Sequence, residues 1–203
     1  MGEFGSQLNS MNVIAVQGYI RDIQFSHDIG NIDYYKANIA CPGVNGREDD
    51  LIYVRFKNLS NKYKDGDFIS FKGNLRSYST KDDNGKSQVQ IYVFTYFDLP
   101  DIPINTVQID GRICKISALE TTHSNKEYVR FILANNIIKG NKKINSYIPC
   151  IAYGDLAKQM SKKKVSDKIL IDGELHSHTY KRKPDKEIIV AHEVIVKSFT
   201  DEV

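Results

Sequence analysis

A short signature occurs twice in this chain and restricts its fold more than any other feature. Residues 69–80 read ISFKGNLRSYST and residues 169–180 read ILIDGELHSHTY, so Gly73-x-Leu75-x-Ser77 returns as Gly173-x-Leu175-x-Ser177. Both follow an alternating apolar run, and both lead through a polar tongue into another such run. A strand that alternates, bends at a glycine and continues into a hairpin suits a small barrel, where the bend leaves little room for a side chain. The flanks repeat as well. Residues 12–23 and 105–116 each open on β-branched residues and reach a glycine, Gly18 or Gly111, 93 positions apart. YYKANIA at residues 34–40 is answered by YVRFILA at 128–134, and the Gly73/Gly173 pair is 100 positions apart. Landmarks kept in one order with a slowly growing offset mark a duplicated unit with insertions between strands.

Each unit reads as three strands, a short helix and two more strands. Period-2 alternation carries the strand assignments. Tyr35, Ala37, Ile39 and Cys41 point one way, as do Val129, Phe131 and Leu133. Tyr34, Lys36 and Asn38, and in the second unit Tyr128, Arg130 and Ile132, point the other way, so an aromatic and a cation share matching outward positions. The short helices are expected at residues 58–63 and 155–161. Asp82-Asp83-Asn84-Gly85 signals a type I′ hairpin turn, and residues 181–186, KRKPDK, form its basic counterpart. Five strands with a helix between the third and fourth is the layout of an OB-fold, and too few strands are present for an immunoglobulin-like sandwich. The expected class is therefore all-β, two tandem OB-folds in five-stranded Greek-key barrels. Residues 11–99 form the first and 104–203 the second. The two prolines in Leu99-Pro100-Asp101-Ile102-Pro103 place the boundary, since proline cannot sit inside a paired strand. Residues 1–10 open MGEFGS, read as a cloning scar outside the fold.

Composition narrows the function classes. The chain's 203 residues are 41% hydrophobic and 26% charged, ordinary for a globular protein. No apolar run approaches the roughly 20 residues that span a bilayer, and no targeting segment is seen, so a cytoplasmic location without membrane contact is expected. Cys41, Cys114 and Cys150 fit neither a disulfide framework nor a zinc site and read as small buried hydrophobes. The net charge of +3 is unevenly held: residues 11–103 carry −1 and residues 104–203 carry +5.

In residues 145–157, NSYIPCIAYGDLA, Ile148, Cys150 and Ala152 form the inward face. Tyr147, Pro149, Ile151 and Tyr153 form the outward one. Two tyrosines and two apolar side chains facing solvent call for a cover. The neighbouring unit or a symmetry partner could provide it. So could nucleobases, whose stacking on aromatics is worth about 1–3 kcal/mol per base. Basic loops flank this face: Lys139-Gly140-Asn141-Lys142-Lys143 on one side and Lys181-Arg182-Lys183 on the other. Mobile cations beside aromatic rings can neutralise phosphates and release counterions. Lys162-Lys163-Lys164 reads as solvated loop charge. His176-x-His178 with His192 could hold a metal, but no nearby cysteine or carboxylate completes a ligand set, so neither metal nor cofactor is expected and the histidines are placed near phosphate or solvent. No phosphate-binding loop, nucleophile elbow or paired-acid motif appears, and an enzyme is not expected.

The same stretch resembles the third strand and helix start of the bacterial single-stranded DNA-binding protein family. In that family an aromatic, an apolar alternation, a second aromatic, Gly and a Leu-Ala run follow in this order. The resemblance places Tyr147 and Tyr153 on stacking aromatics of the family, and Tyr180, after Gly173-x-Leu175, on a third. In the first unit it is strongest over residues 65–85. It is weaker before residue 65, where only Tyr53 falls on an aromatic position and Arg55 on a basic one, and Thr80 sits where Tyr180 stands, so that stacking position is lost in the first unit. It implies sequence-independent binding of single-stranded DNA as a non-enzymatic accessory to replication. Tyr34, Tyr53, Tyr128, Tyr147, Tyr153 and Tyr180 would stack bases. Lys36, Arg55, Arg130, Lys142, Lys143, Lys181 and Arg182 would meet phosphates. With Asp82 and Asp83 at its hairpin, the first unit is expected to bind more weakly or to serve assembly. Two chains could present four barrels as a homodimer, or one chain could act as a pseudo-dimer, with a replication helicase or polymerase as partner. The last residues, KSFTDEV, lack the acidic, phenylalanine-ended tip of the family, which fits a tail-less primosomal, phage, plasmid or mobile-element type. The alternatives are a protein-interaction or helicase-loading OB module, and RNA binding.

Overall fold

The computed structural model describes residues 10–43, 49–57, 62–81, 87–98, 105–139, 142–181 and 188–201. The expected helix at 58–63 falls largely outside them, as do the 82–85 turn, the 99–103 boundary, most of the 181–186 tip and residues 1–9. The first unit contains β1 (Asn12–Ile29), β2 (Ile32–Cys41), β3 (Asp50–Lys57), β4 (Phe68–Lys81) and β5 (Ser87–Asp98). The second contains β6 (Thr106–Ile116), the two-residue β7 (Glu120–Thr121), β8 (Glu127–Lys139), β9 (Lys142–Tyr153), α1 (Asp155–Met160), β10 (Lys168–Lys181) and β11 (Ile188–Asp201).

Each unit closes on itself. In the first, β1 pairs with both β2 and β4, β2 with β3, β3 in parallel with β5, and β5 with β4. The second repeats the circuit through β6, β8, β9, β11 and β10. The alternating residues meet inside: Ile14, Val16, Ile39, Val54, Leu75 and Val93 are sealed from solvent in one barrel, and Ile109, Val129, Leu133, Ile148, Ile171 and Val194 in the other. Helix α1 buries Ala157 and Met160, spaced to share one face, and packs into the second core. The protein is thus all-β, two tandem OB-fold barrels. Among the described residues no helix is long and apolar enough to cross a membrane.

The repeated glycines sit where strands cross at closest approach. A Cβ on Gly73 would stand 2.5 Å from the Phe94 carbonyl oxygen, and one on Gly173 2.5 Å from that of Ile195. Gly18 and Gly111 are equally pressed against the Ala40 and Ala134 carbonyls, at 2.3 and 2.6 Å. The rest of the repeated signature joins the barrels. Ser77 Oγ accepts the Tyr147 N–H at 2.7 Å, and Ser177 Oγ accepts the Leu51 N–H at 2.8 Å. The two bonds are pseudo-symmetric, each running from a fourth strand to the third strand of the other barrel. Leu51 therefore answers Tyr147, and Tyr53 answers Pro149.

Between them, Asn12–Ala15 of β1 pair antiparallel with Thr106–Ile109 of β6, so one eleven-stranded sheet runs through both barrels. Asn12 Nδ2 donates to the Leu75 carbonyl and Asn12 Oδ1 accepts the Leu75 N–H, both at 2.8 Å. Asn105 makes the same pair with Leu175. Asn12 also donates to Asn135 Oδ1 at 2.8 Å, and the Asn135 amide reaches the Asp110 carbonyl and Ser10 Oγ. Among the described residues this buried polar cluster crosses the seam on one side only.

Cys41 and Cys150 are buried as expected, and burial pushes the Cys41 thiol up to about 12. Cys114 corrects the expectation. It is exposed, because the β6–β8 register slips between Ile113 and Lys115 and turns the extra residue outward.

Candidate functional site

Outward positions of β2, β3, β4 and β5 build a continuous aromatic and cationic face on the first barrel. The β2–β3 register sets Lys36 opposite Arg55, and the β4–β5 register sets Arg76 opposite Tyr92 and Tyr78 opposite Gln90. The Arg55 guanidinium lies 4.6 Å from the Tyr92 ring centroid, 5.3 Å from Tyr78 and 5.8 Å from Tyr53. The Arg76 guanidinium lies 3.9 Å over Phe94. Phe94 neighbours Tyr34 at 5.9 Å, and Tyr34 stacks on His27 at 5.0 Å with planes 6° apart. Burial pushes the Tyr78 phenol above its usual range, which keeps it neutral, and its O–H donates to Gln90 Oε1 at 2.6 Å.

Nε of Arg55 and Nε of Arg76 are both buried with no hydrogen-bond partner among the described residues, and neither arginine has a carboxylate partner there. A guanidinium held among rings, with no acid against it among the described residues, keeps N–H donors for an incoming anion. The rings hold it by cation–π attraction without neutralising its charge.

The second barrel carries a smaller version. Tyr128 and Tyr153 are directly opposite in the β8–β9 register, 6.4 Å apart between ring centroids. Arg130 stands 5.1 Å from the Tyr128 ring and Lys126 4.5 Å from the Tyr153 ring. The Tyr128 O–H donates to Glu120 Oε2 at 2.6 Å, and that acceptor raises its titration. The bond draws β7 over the sheet, leaving a shallow pocket of about 210 Å³ between Thr121, His123, Arg130 and the two rings. Ile151 corrects the expected outward set: it forms part of this pocket's lining and is only 1% exposed.

Tyr147 lies at the seam between the two faces, its N–H tied to Ser77 and the residue 45% exposed. Tyr34, Lys36, Tyr53 and Arg55 are thus brought together on one face, and Tyr128, Arg130 and Tyr153 on the other. Lys142 and Lys143 are exposed at the start of β9, apart from both ring clusters. Tyr180 and Lys181 end β10, but their side chains and Arg182 lie outside the described residues. Arg76, Tyr78, Tyr92, Phe94, His27 and Lys126 were not read from the sequence. Period 2 could have found two of them, Tyr92 and Phe94, because Ile91 and Val93 point inward and force their neighbours outward.

The histidines also differ from expectation, since carboxylates do stand near them. His176 Nδ1 is 3.0 Å from Asp50 Oδ2 of the other barrel and His176 Nε2 is 3.1 Å from Glu174 Oε2. His178 Nδ1 is 3.9 Å from Glu193 Oε1. The His192 Nε2–H donates to the Leu51 carbonyl at 2.8 Å, and burial lowers its titration. Among the described residues no three histidine, cysteine or acidic side chains are grouped to hold a metal.

Residues 104–200 match the sequence profile of the Single-strand binding protein family, so the resemblance read from the sequence holds across the second unit. No curated protein sequence matches the chain. In fold the chain is similar to the wild-type single-stranded DNA binding protein from Thermus aquaticus, at a TM-score of 0.71 and 17% identity over 96% of this chain and 94% of that one. A deletion mutant of the same Thermus aquaticus protein gives 0.72 at 17% identity, covering 96% of both chains. The likeness in fold therefore spans both barrels.

Proposed function

We propose that this chain, whose residues 104–200 match the Single-strand binding protein family, binds single-stranded DNA without strong sequence preference, as a non-enzymatic accessory to replication. The observation that carries this reading is Arg55, set among three tyrosine rings on an outward face with no acid paired to it among the described residues. Bases stack on the rings because every base offers a π-face, and the arginines meet the phosphates between them. Tyr34, Tyr53, Tyr78, Tyr92 and Phe94 form the first platform, with Lys36, Arg55 and Arg76 as its cations. Tyr128 and Tyr153 form the second, with Lys126 and Arg130. Tyr147 bridges the two, and Lys142, Lys143, Tyr180, Lys181 and Arg182 would also contact the strand, as the resemblance read from the sequence implies. Two copies would present four barrels, and a replication helicase or polymerase is the partner class.

A fluorescence-anisotropy titration with oligo-dT of increasing length tests this. Submicromolar binding that tightens in steps with length supports it. Tyr92→Ala and Tyr147→Ala should each cost roughly 1–3 kcal/mol. Full-strength binding by both variants would remove the stacking assignment. Failure of the intact chain to bind any oligomer would leave the barrels as a protein-interaction module.

A further inference from the structure

The contacts between the barrels are pseudo-symmetric in their serines but not in their charges. At the end where β10 meets β3, Asp50 accepts the Ser177 N–H at 2.7 Å and pairs with His176 at 3.0 Å. Ser177 Oγ and His192 Nε2 then take the N–H and the carbonyl of Leu51. At the opposite end, Ser146 stands in the place of Asp50, Arg76 in that of His176 and Ile91 in that of His192. Among the described residues only the Ser77 bond to Tyr147 has its equivalent there. The second barrel thus grips one strand of the first, and that strand carries Tyr53 and Arg55 two and four residues beyond Leu51.

We propose that Asp50 and His176 form a cross-barrel clamp that positions β3 for DNA, so that the second barrel sets how well the first one binds. This rests on the function proposed above. His176 and Asp50 are positioning residues; neither is placed on the DNA face. Both are shielded, with side chains 20% and 15% exposed. His176 also faces Glu174, which Lys197 holds at 2.9 Å, while Glu193, paired with it across β11, leans to His178.

The geometry makes the clamp depend on pH. The bond to Asp50 raises the titration of His176 above its ordinary value. Asp50 titrates below its ordinary value, because its bonds to His176 and the Ser177 N–H outweigh the opposing effect of its burial. A group whose titration is raised in the assembled state contributes below that point and loses its contribution as pH rises through it. The clamp is therefore at full strength between the lowered Asp50 value and the raised His176 value, and releases on the alkaline side.

The test is oligo-dT affinity of the full chain from pH 5.5 to 8.5, for the wild type, His176→Gln, His176→Arg and Asp50→Asn. The wild type should lose about two- to fivefold more affinity than His176→Gln across the range, the scale of one partly shielded ion pair. His176→Arg keeps the cation at every pH and should hold the tight value throughout. Asp50→Asn should be weak and flat. Subtracting the His176→Gln profile removes the other histidines. A wild-type profile that coincides with that of His176→Gln overturns the clamp while leaving DNA binding intact. No binding by any form at any pH overturns the proposed function, and the positioning role with it. Thermal unfolding at both pH limits separates a variant that fails to fold from one that fails to bind.

Discussion

Asn12 and Asn105 close the same two hydrogen bonds in the two halves, each amide satisfying the N–H and carbonyl of the signature leucine. Asn12 is 3% exposed, so its partners have no water to turn to. Asn12→Ala orphans the Leu75 backbone and one contact of Asn135. At about 1–3 kcal/mol for each buried polar group left unpaired, it should cost at least about 2 kcal/mol in urea denaturation, with an unchanged m-value. Asn105→Ala, which lacks the Asn135 link, should cost less. Both asparagines open a strand visible in the sequence, yet their partners lie 63 and 70 residues away, beyond the reach of local pattern. Arg76 and Tyr78 were hidden differently. Arg76 lies inside the signature and Tyr78 directly after it, and only the closed barrel brings them to Phe94 and Arg55.

At the level of strands, the signature separates into three jobs. Glycine permits the crossing, leucine fills the core, and serine reaches the other barrel. Gly73→Ala places a methyl 2.5 Å from the Phe94 carbonyl and 2.9 Å from Val93 Cγ1. The backbone of β5 cannot step aside cheaply, so the variant should lose about 1–3 kcal/mol or more. In a chain of this size that lowers Tm by roughly 2–4 °C per kcal/mol, read by calorimetry. The glycine's task was legible because crowding at a bend is a local property. The serine's was not, since Ser77 and Ser177 bond to residues 70 and 126 positions away. Strand order and helix α1 were legible from alternation and its interruption. The burial of Ile151 was not, because the pocket it lines includes Thr121, Thr122 and His123, a stretch too short to show any period.

For the whole molecule, the two faces make binding an electrostatic measurement as much as a stacking one. The slope of log affinity against log salt should be negative and near −0.7 per phosphate neutralised on a single strand. Arg55→Ala and Arg76→Ala should each make it shallower by about 0.7, and a slope unchanged in both would take the arginines off the phosphate path. The duplicated architecture was readable from landmark spacing alone, but its unequal charges were not, because Asp50, His176 and Glu174 converge only after the barrels have docked.

The pairing of Asn12–Ala15 with Thr106–Ile109 has one more consequence. Where two separate polypeptides met through such an edge, dilution would part them, and every substitution would appear twice, once in each copy. Here the partners are tethered, so their association has no concentration dependence. Each half also accumulates changes alone: an acid can arise at one end of the junction while a serine stays at the other.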